Sequence, residues 1–188
     1  MKVRIFVYIL LLFITSGCDN TSETAKNIVN SSIVLPINRM KKYQNDNIRR
    51  TKCENANIID IVCYIEDSHC LTCGFSKIEK DAVTHSDSLY LLGIDFKYVV
   101  SVRRESSELL MQVLKGSKLK GDIFLDTCNA FLEANPQIPD NELFHTFVIN
   151  KEGKVLMVGN PFLNEKMEAL FKKVIANEQK KQKIKKSV

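Results

Sequence analysis

Cys70-Leu71-Thr72-Cys73 stands between two segments of different periodicity. Before it lies a continuous apolar run of strand length, 58–65, and after it a stretch from about 71 to 91 with apolar residues at helical spacing. A chain with that order turns from a buried strand into a helix at its two thiols. A helix amino terminus presents unpaired N–H groups and the positive end of a dipole, so a thiolate placed there is favoured and its pKa falls. The spacing points to a redox pair, although half of a zinc site is spelled the same way.

The amino-terminal residues suggest where such a dithiol works. Lys2 and Arg4 precede an apolar run, Ile5 to Ile14, that is too short to span a bilayer and ends in Thr15-Ser16-Gly17-Cys18. This resembles a bacterial lipoprotein signal with its lipobox. It departs from that pattern three places before the cysteine, where Thr15 replaces the usual aliphatic residue and Ile14 lies one place further out. The resemblance implies removal of residues 1–17, lipidation of Cys18 and a lipid-anchored location in the cell envelope, on the periplasmic or surface face. An ordinary cleaved signal and an uncleaved anchor are the alternatives, and either one exports the body.

Export changes the cysteine arithmetic. With Cys18 acylated, Cys53, Cys63, Cys70, Cys73 and Cys128 remain, an odd number that leaves at least one thiol unpaired in an oxidising compartment. Cys63, inside the apolar run, reads as a small buried hydrophobe. Whether Cys53 and Cys128 pair stays open. No dense disulfide framework is needed, because roughly 170 mature residues bury an adequate core without staples.

Hydrophobic residues make up 45% of the chain and charged residues 26%, and no twenty-residue apolar segment follows the leader, so one globular domain is expected. The net charge of +5 arises at the chain ends. Without Lys2, Arg4 and the five lysines between 180 and 186, the body holds 20 basic and 22 acidic residues, so no basic face for nucleic acid is implied. The lysine-rich tail reads as a frayed helix end whose side chains could also touch anionic headgroups. No nucleotide, haem or flavin motif is present, and no cofactor is expected.

The polar segment from Asp19 to about Asn30 reads as a solvated tether, followed by a short extended piece, Ile33-Val34-Leu35-Pro36, and a polar connection over 41–57. Regular patterning then predicts a strand at 58–65 and a helix at 71–91 with Phe75, Ile78, Ala82 and Leu89 near one face, then a strand at 96–102. A helix at 106–114, a strand at 123–126 and a single helical turn at 130–134 come next. A hairpin of 144–149 with 154–158 closes around Lys151-Glu152-Gly153. After Gly159-Asn160-Pro161 a last amphipathic helix places Met167, Leu170, Phe171 and Val174 at helical spacing. The expected divisions are a signal at 1–17, a lipidated tether and extension at 18–57, a domain at 58–176 and a basic tail at 177–188. The fold class is α/β, a central mixed sheet flanked by helices on both faces.

That order, with the dithiol after the first strand of the domain, resembles the thioredoxin-like fold and in particular the TlpA-like and redoxin-domain lipoproteins of bacteria. Ile61 to Cys73 carries the likeness, together with Phe144-His145-Thr146-Phe147-Val148-Ile149-Asn150-Lys151-Glu152-Gly153-Lys154-Val155, which is similar to the family's strand-turn-strand. Three departures stand out. His145 occupies the place of the family's cis-proline, so a trans backbone is expected there. Tyr64 stands where many members keep a buried carboxylate six residues before the first cysteine. Ser76 stands where TlpA-like proteins carry a glutamate, with Glu79 one turn on.

The resemblance implies an exported thiol–disulfide oxidoreductase acting in the reducing direction, with exported protein thiols or disulfides and an upstream electron donor as partners. Cys70, at the helix start, would exchange with substrate, and Cys73, one turn inside, would resolve the mixed disulfide. His69 and His145 could raise thiolate character when protonated, and His145 with Thr146 would line the substrate groove. Glu66 and Asp67 would oppose thiolate formation, whereas His85 reads as a surface residue. Two other readings use the same atoms. Cys70, Cys73 and His145, with or without His69, form a ligand set suited to copper or zinc, loosely similar to thioredoxin-like copper chaperones. The altered proton-shuttle positions instead favour a binding module without turnover. Peroxidase chemistry lacks its Thr/Pro-x-x-x-Thr/Ser-x-x-Cys pattern.

Overall fold

In the computed structural model, residues 19–43, 57–66, 71–102 and 107–186 are described, with only the backbone at a few helix ends, among them 71–74. The signal at 1–17, Cys18, Cys53, His69 and Cys70 lie outside the described residues.

Ile59–Ile65 (β2) is the axis of the molecule. Its sequence Ile-Asp-Ile-Val-Cys-Tyr-Ile is apolar on both faces, as a strand covered on both sides requires, and all but Asp60 are buried. It is followed by the helix Leu71–Leu91 (α2), the strand Ile94–Ser101 (β3), the helix Ser107–Gly116 (α3) and the strand Asp122–Asp126 (β4). A short helix, Ala130–Ala134 (α4), leads to the hairpin Thr146–Asn150 (β5) and Val155–Val158 (β6), and the long helix Glu165–Lys186 (α5) ends the fold. Ahead of these elements lie the helix Asp19–Val29 (α1) and a three-residue strand, Lys41–Tyr43 (β1).

The six strands form one mixed sheet in the order β1-β4-β3-β2-β5-β6. β2 is parallel to β3, which is parallel to β4, while β5 runs antiparallel to β2, and β6 to β5. The chain steps the same way twice, from β2 to β3 to β4, so crossovers of one hand put α2 and α3 on one face. Phe75, Ala82 and Leu89 of α2, Leu110 and Leu114 of α3 and Phe171 of α5 indeed pack with Ile61, Cys63 and Ile65 in one core. Alternation along β2 sends Val62 and Tyr64 to the other face, where Phe131, Phe147 and Ile28 complete a second core.

The two faces bear out the expected mixed sheet with helices on both sides, and the strands and helices from 58 onward fall within a few residues of their sequence-based bounds. Three expectations are corrected. The segment read as a solvated tether is α1, and its stripe of Ala25, Ile28 and Val29 packs on the sheet with Ile28 only 1% exposed. Overall polarity hid one apolar stripe, and tertiary packing decided the outcome. In α5, Phe171 is buried and Met167 and Val174 pack against the core, but Leu170 is 46% exposed. The basic tail does not fray from 177 onward, since α5 continues through it to Lys186.

Residues 31–43 form a strap across the second core. Ser32 bridges Lys154, Ile33 donates its N–H to the Gly153 carbonyl at 2.8 Å, and β1 pairs antiparallel with β4. Gly153 is required there. Its φ is +80°, and a Cβ would sit 2.7 Å from the Ile33 carbonyl oxygen. The buried amide of Asn135 fastens the strap, accepting from Val34 N–H at 2.8 Å and donating to the Val34 carbonyl at 2.8 Å and the Phe131 carbonyl at 2.7 Å. Asn135→Ala is expected to cost about 2 kcal/mol in urea unfolding and to speed protease cleavage within 31–43. An unchanged cleavage rate would show that the strap is held without this amide.

Candidate functional site

The helix that begins at Leu71 and includes Cys73 follows β2 at the edge of the sheet where the parallel strands β2, β3 and β4 all end. Cys73 is the third residue of α2, so its backbone belongs to the first helical turn, where N–H groups lack intrahelical partners and the dipole is positive. Its side chain, like all of Cys70 and His69, lies outside the described residues. The structure therefore gives the helix start that the sequence predicts for the motif, and the described residues define its surroundings.

Behind the motif stands Cys63, across the register from Thr146 on the neighbouring β5 and facing the same core as α2. Burial pushes its thiol up to about 12, a hydrogen bond with Thr146 lowers it somewhat, and the charge of Asp81 raises it. The expectation of a small buried hydrophobe holds. Thr146 is thereby placed on the dithiol-helix side of the sheet.

His145 goes the other way. It ends a short 3-10 turn, Glu142–Phe144, with φ −89°, and no described peptide bond is cis, in keeping with the trans backbone expected there. Its ring is buried at 5% exposure, meets Tyr64 edge-on at 5.1 Å between centroids, and places Nε2 2.9 Å from the Pro139 carbonyl oxygen. A carbonyl only accepts, so Nε2 carries the proton and donates. That nitrogen cannot ligate a metal while the bond stands, so a Cys70–Cys73–His145 set would have only Nδ1 on offer. The ring lies with Tyr64 over the second core, on the face opposite α2.

Tyr64, at the place of the family's buried carboxylate, stacks on Phe131 at 5.1 Å, and its N–H donates to the His145 carbonyl at 2.8 Å. Glu66 is half-buried at the strand end, and Asp67 lies outside the described residues. Glu79 accepts the Lys118 N–H, which commits its carboxylate to the loop after α3. Ser76 is exposed on α2.

Sequence reasoning missed a clasp between α2 and the loop after β6. Asn160 donates to Asp81 at 2.7 Å, and His85 stacks on Phe162 with ring centroids 4.2 Å apart and 6° between planes. His85, expected at the surface, is thus half-buried in an aromatic contact. The signal was present in Gly159-Asn160-Pro161-Phe162, but nothing local tells which helix such a loop meets. Cys128, on the loop after β4, is an exposed free thiol with Sγ 3.8 Å from the Arg39 carbonyl oxygen. Cys53, whose pairing with Cys128 the sequence leaves open, lies outside the described residues.

No protein-family model and no curated protein matches the sequence. Solved structures do. A thioredoxin-like protein from Porphyromonas gingivalis is 18% identical with a TM-score of 0.46, covering 77% of this chain and 92% of its own. StoA from Bacillus subtilis is 16% identical with a TM-score of 0.42, over 64% of this chain and 87% of its own. The thioredoxin domain of a thiol-disulfide oxidoreductase from Bacteroides vulgatus is 14% identical with a TM-score of 0.41, over 60% and 79%. Likenesses at that level say nothing of activity, and the fold is defined by this chain's own topology. With β3-β2-β5-β6 as a four-stranded core, α2 following the central strand, α5 following the hairpin and β4 and β1 added at one edge, the chain has the thioredoxin-like fold.

Proposed function

We propose that this protein is an exported thiol–disulfide oxidoreductase, lipid-anchored through Cys18, that reduces disulfides of exported proteins with the Cys70–Cys73 pair. The observation that carries the reading is the start of α2 directly after the central strand, with Cys73 in its first turn. A thiolate at that position gains from the helix dipole and from unpaired N–H groups.

The reaction is a two-electron exchange. The Cys70 thiolate attacks one sulfur of a substrate disulfide, forming a mixed disulfide and releasing the other sulfur as a thiolate that takes up a proton. Cys73 loses its proton and attacks the Cys70 sulfur. The mixed disulfide breaks, the second substrate thiol leaves, and the Cys70–Cys73 disulfide holds the oxidised state until a dithiol donor reduces it. Tyr64 in place of a carboxylate leaves deprotonation of Cys73 to solvent or to Glu66, which favours slow turnover.

The same observation supports a second reading, a thioredoxin-like module that binds without turnover. Trapping separates the two. A Cys73→Ala variant is expected to accumulate mixed disulfides through Cys70 on non-reducing gels of envelope fractions, and these vanish when Cys70→Ser is added. No adducts in the single variant under oxidising conditions would remove the oxidoreductase reading and leave the binding module.

A further inference from the structure

The net positive charge of this chain equals what one end of one helix carries. The protein carries 27 basic and 22 acidic residues, and five of the basic ones, Lys180, Lys181, Lys183, Lys185 and Lys186, fall in the last nine positions, where no acid occurs. Without them the chain holds 22 basic and 22 acidic residues, so its entire excess of +5 resides there.

These lysines are not on loose chain. They occupy the last two turns of α5, with Lys180, Lys181 and Lys183 exposed. Cations at a helix carboxyl terminus complement the dipole, but that effect fades within the last turn. It does not account for Lys180 and Lys181, more than a turn before the end. Like charges three and four residues apart also repel, as do Lys180 with Lys183 and Lys181 with Lys185. Lys181 is offset by its ion pair with Glu178. Ile184, 57% exposed, lies three and four residues after Lys181 and Lys180 and therefore shares their side of the helix. Exposed aliphatic surface framed by lysines, whose long stems let the charge snorkel, suits a headgroup boundary better than a nucleic acid or a folded acidic protein.

The location is equally informative. β6 runs parallel to β2, so α5 starts at the dithiol end of the sheet and returns toward the opposite end. At 1.5 Å per residue its 22 residues span about 33 Å, against roughly 23 Å for the seven of β2. The basic turns therefore reach the end of the molecule remote from Cys73.

We infer that the carboxyl-terminal turns of α5 form a docking surface for an anionic lipid bilayer, seating the domain with its dithiol end turned away from the membrane. The proposal is independent of whether the dithiol turns over. The test is flotation of the full chain with vesicles of phosphatidylcholine alone and of phosphatidylcholine with about one-third phosphatidylglycerol. The apolar run at 5–14 binds both kinds alike, so the ratio between them is the readout. Wild type is expected to partition at least tenfold better onto the anionic vesicles at about 50 mM salt, with the preference falling severalfold at about 500 mM. A variant with all five lysines changed to glutamine, which keeps helix propensity, is expected to lose most of the preference. Ile184→Asn with the lysines intact is expected to weaken anionic binding two- to fivefold. Equal partition onto both vesicles, or an unchanged preference in the glutamine variant, overturns the proposal. So does displacement of the protein from anionic vesicles by an equal charge concentration of duplex DNA, which would mark a generic polyanion site.

Discussion

Asp126→Ala is expected to lower the stability of the protein by about 3–5 kcal/mol, a large share of what a domain of this size possesses. Asp126 ends β4 and is 2% exposed. Its Oδ1 accepts the N–H groups of Cys128 at 3.2 Å and Ala130 at 2.9 Å, and its Oδ2 accepts that of Phe131 at 2.8 Å. Three backbone donors at the start of α4 thus share one buried carboxylate. Each bond to a charged acceptor contributes roughly 1.5–3 kcal/mol, and alanine leaves the donors unsatisfied as well. Asp126→Asn keeps one acceptor oxygen but turns an amide N–H₂ toward a donor, so an intermediate loss is expected. The midpoint of urea unfolding reads both variants. A loss under 1 kcal/mol for alanine would show that water reaches these amides.

The consequence extends to the site. α4 carries Phe131, fully buried and stacked on Tyr64, which in turn backs His145. Loosening the start of α4 therefore loosens the support under the 139–146 segment, whose trans backbone stands where the resemblance implies a cis-proline. In a destabilised but folded Asp126→Asn protein, the His145 ring signals should broaden before those of α2.

What the sequence reveals and what it conceals divide along the range of the interactions. The central strand, the start of α2 that includes Cys73, the hairpin and the final helix are legible because each rests on local periodicity or turn chemistry. The role of Asp126 is not legible, since its apolar neighbours mark it only as a strand end, and its bonds to the chain at 128–131 depend on how the loop after β4 folds back. The strap is not legible, since Asn135 fastens Val34 across 101 positions of sequence. The same holds for the clasp from Asn160 to Asp81, 79 positions apart. α1 was concealed differently, because three apolar residues in a polar stretch suffice for a helix only when a sheet waits to receive them. His145 shows the limit of reading a site by family position. The place carried over, but its ring is bound to Pro139 and turned to the face opposite α2.

Cys63 makes the second large expectation, one of pH. Its thiol is pushed from an ordinary value near 9 to about 12 in the fold, chiefly by burial. A folded value above the unfolded one means that, above pH 9, the unfolded chain releases a proton the native state keeps. Stability is therefore full below pH 9 and falls as pH rises toward 12, at about 1.4 kcal/mol per pH unit at most. Between pH 8 and pH 11 the loss assigned to this thiol is about 2.5 kcal/mol. Lysines and tyrosines also titrate in that range, so the comparison is with Cys63→Ala. That variant should cost about 1 kcal/mol near neutrality for its small cavity and should show a shallower decline above pH 9. Parallel declines in the two proteins would mean that water reaches the thiol. The chemical meaning lies at pH 7, where a group titrating near 12 is thiolate in only about one molecule in 10⁵. Cys63 sits on the strand that leads toward the motif, yet burial holds it protonated and out of exchange.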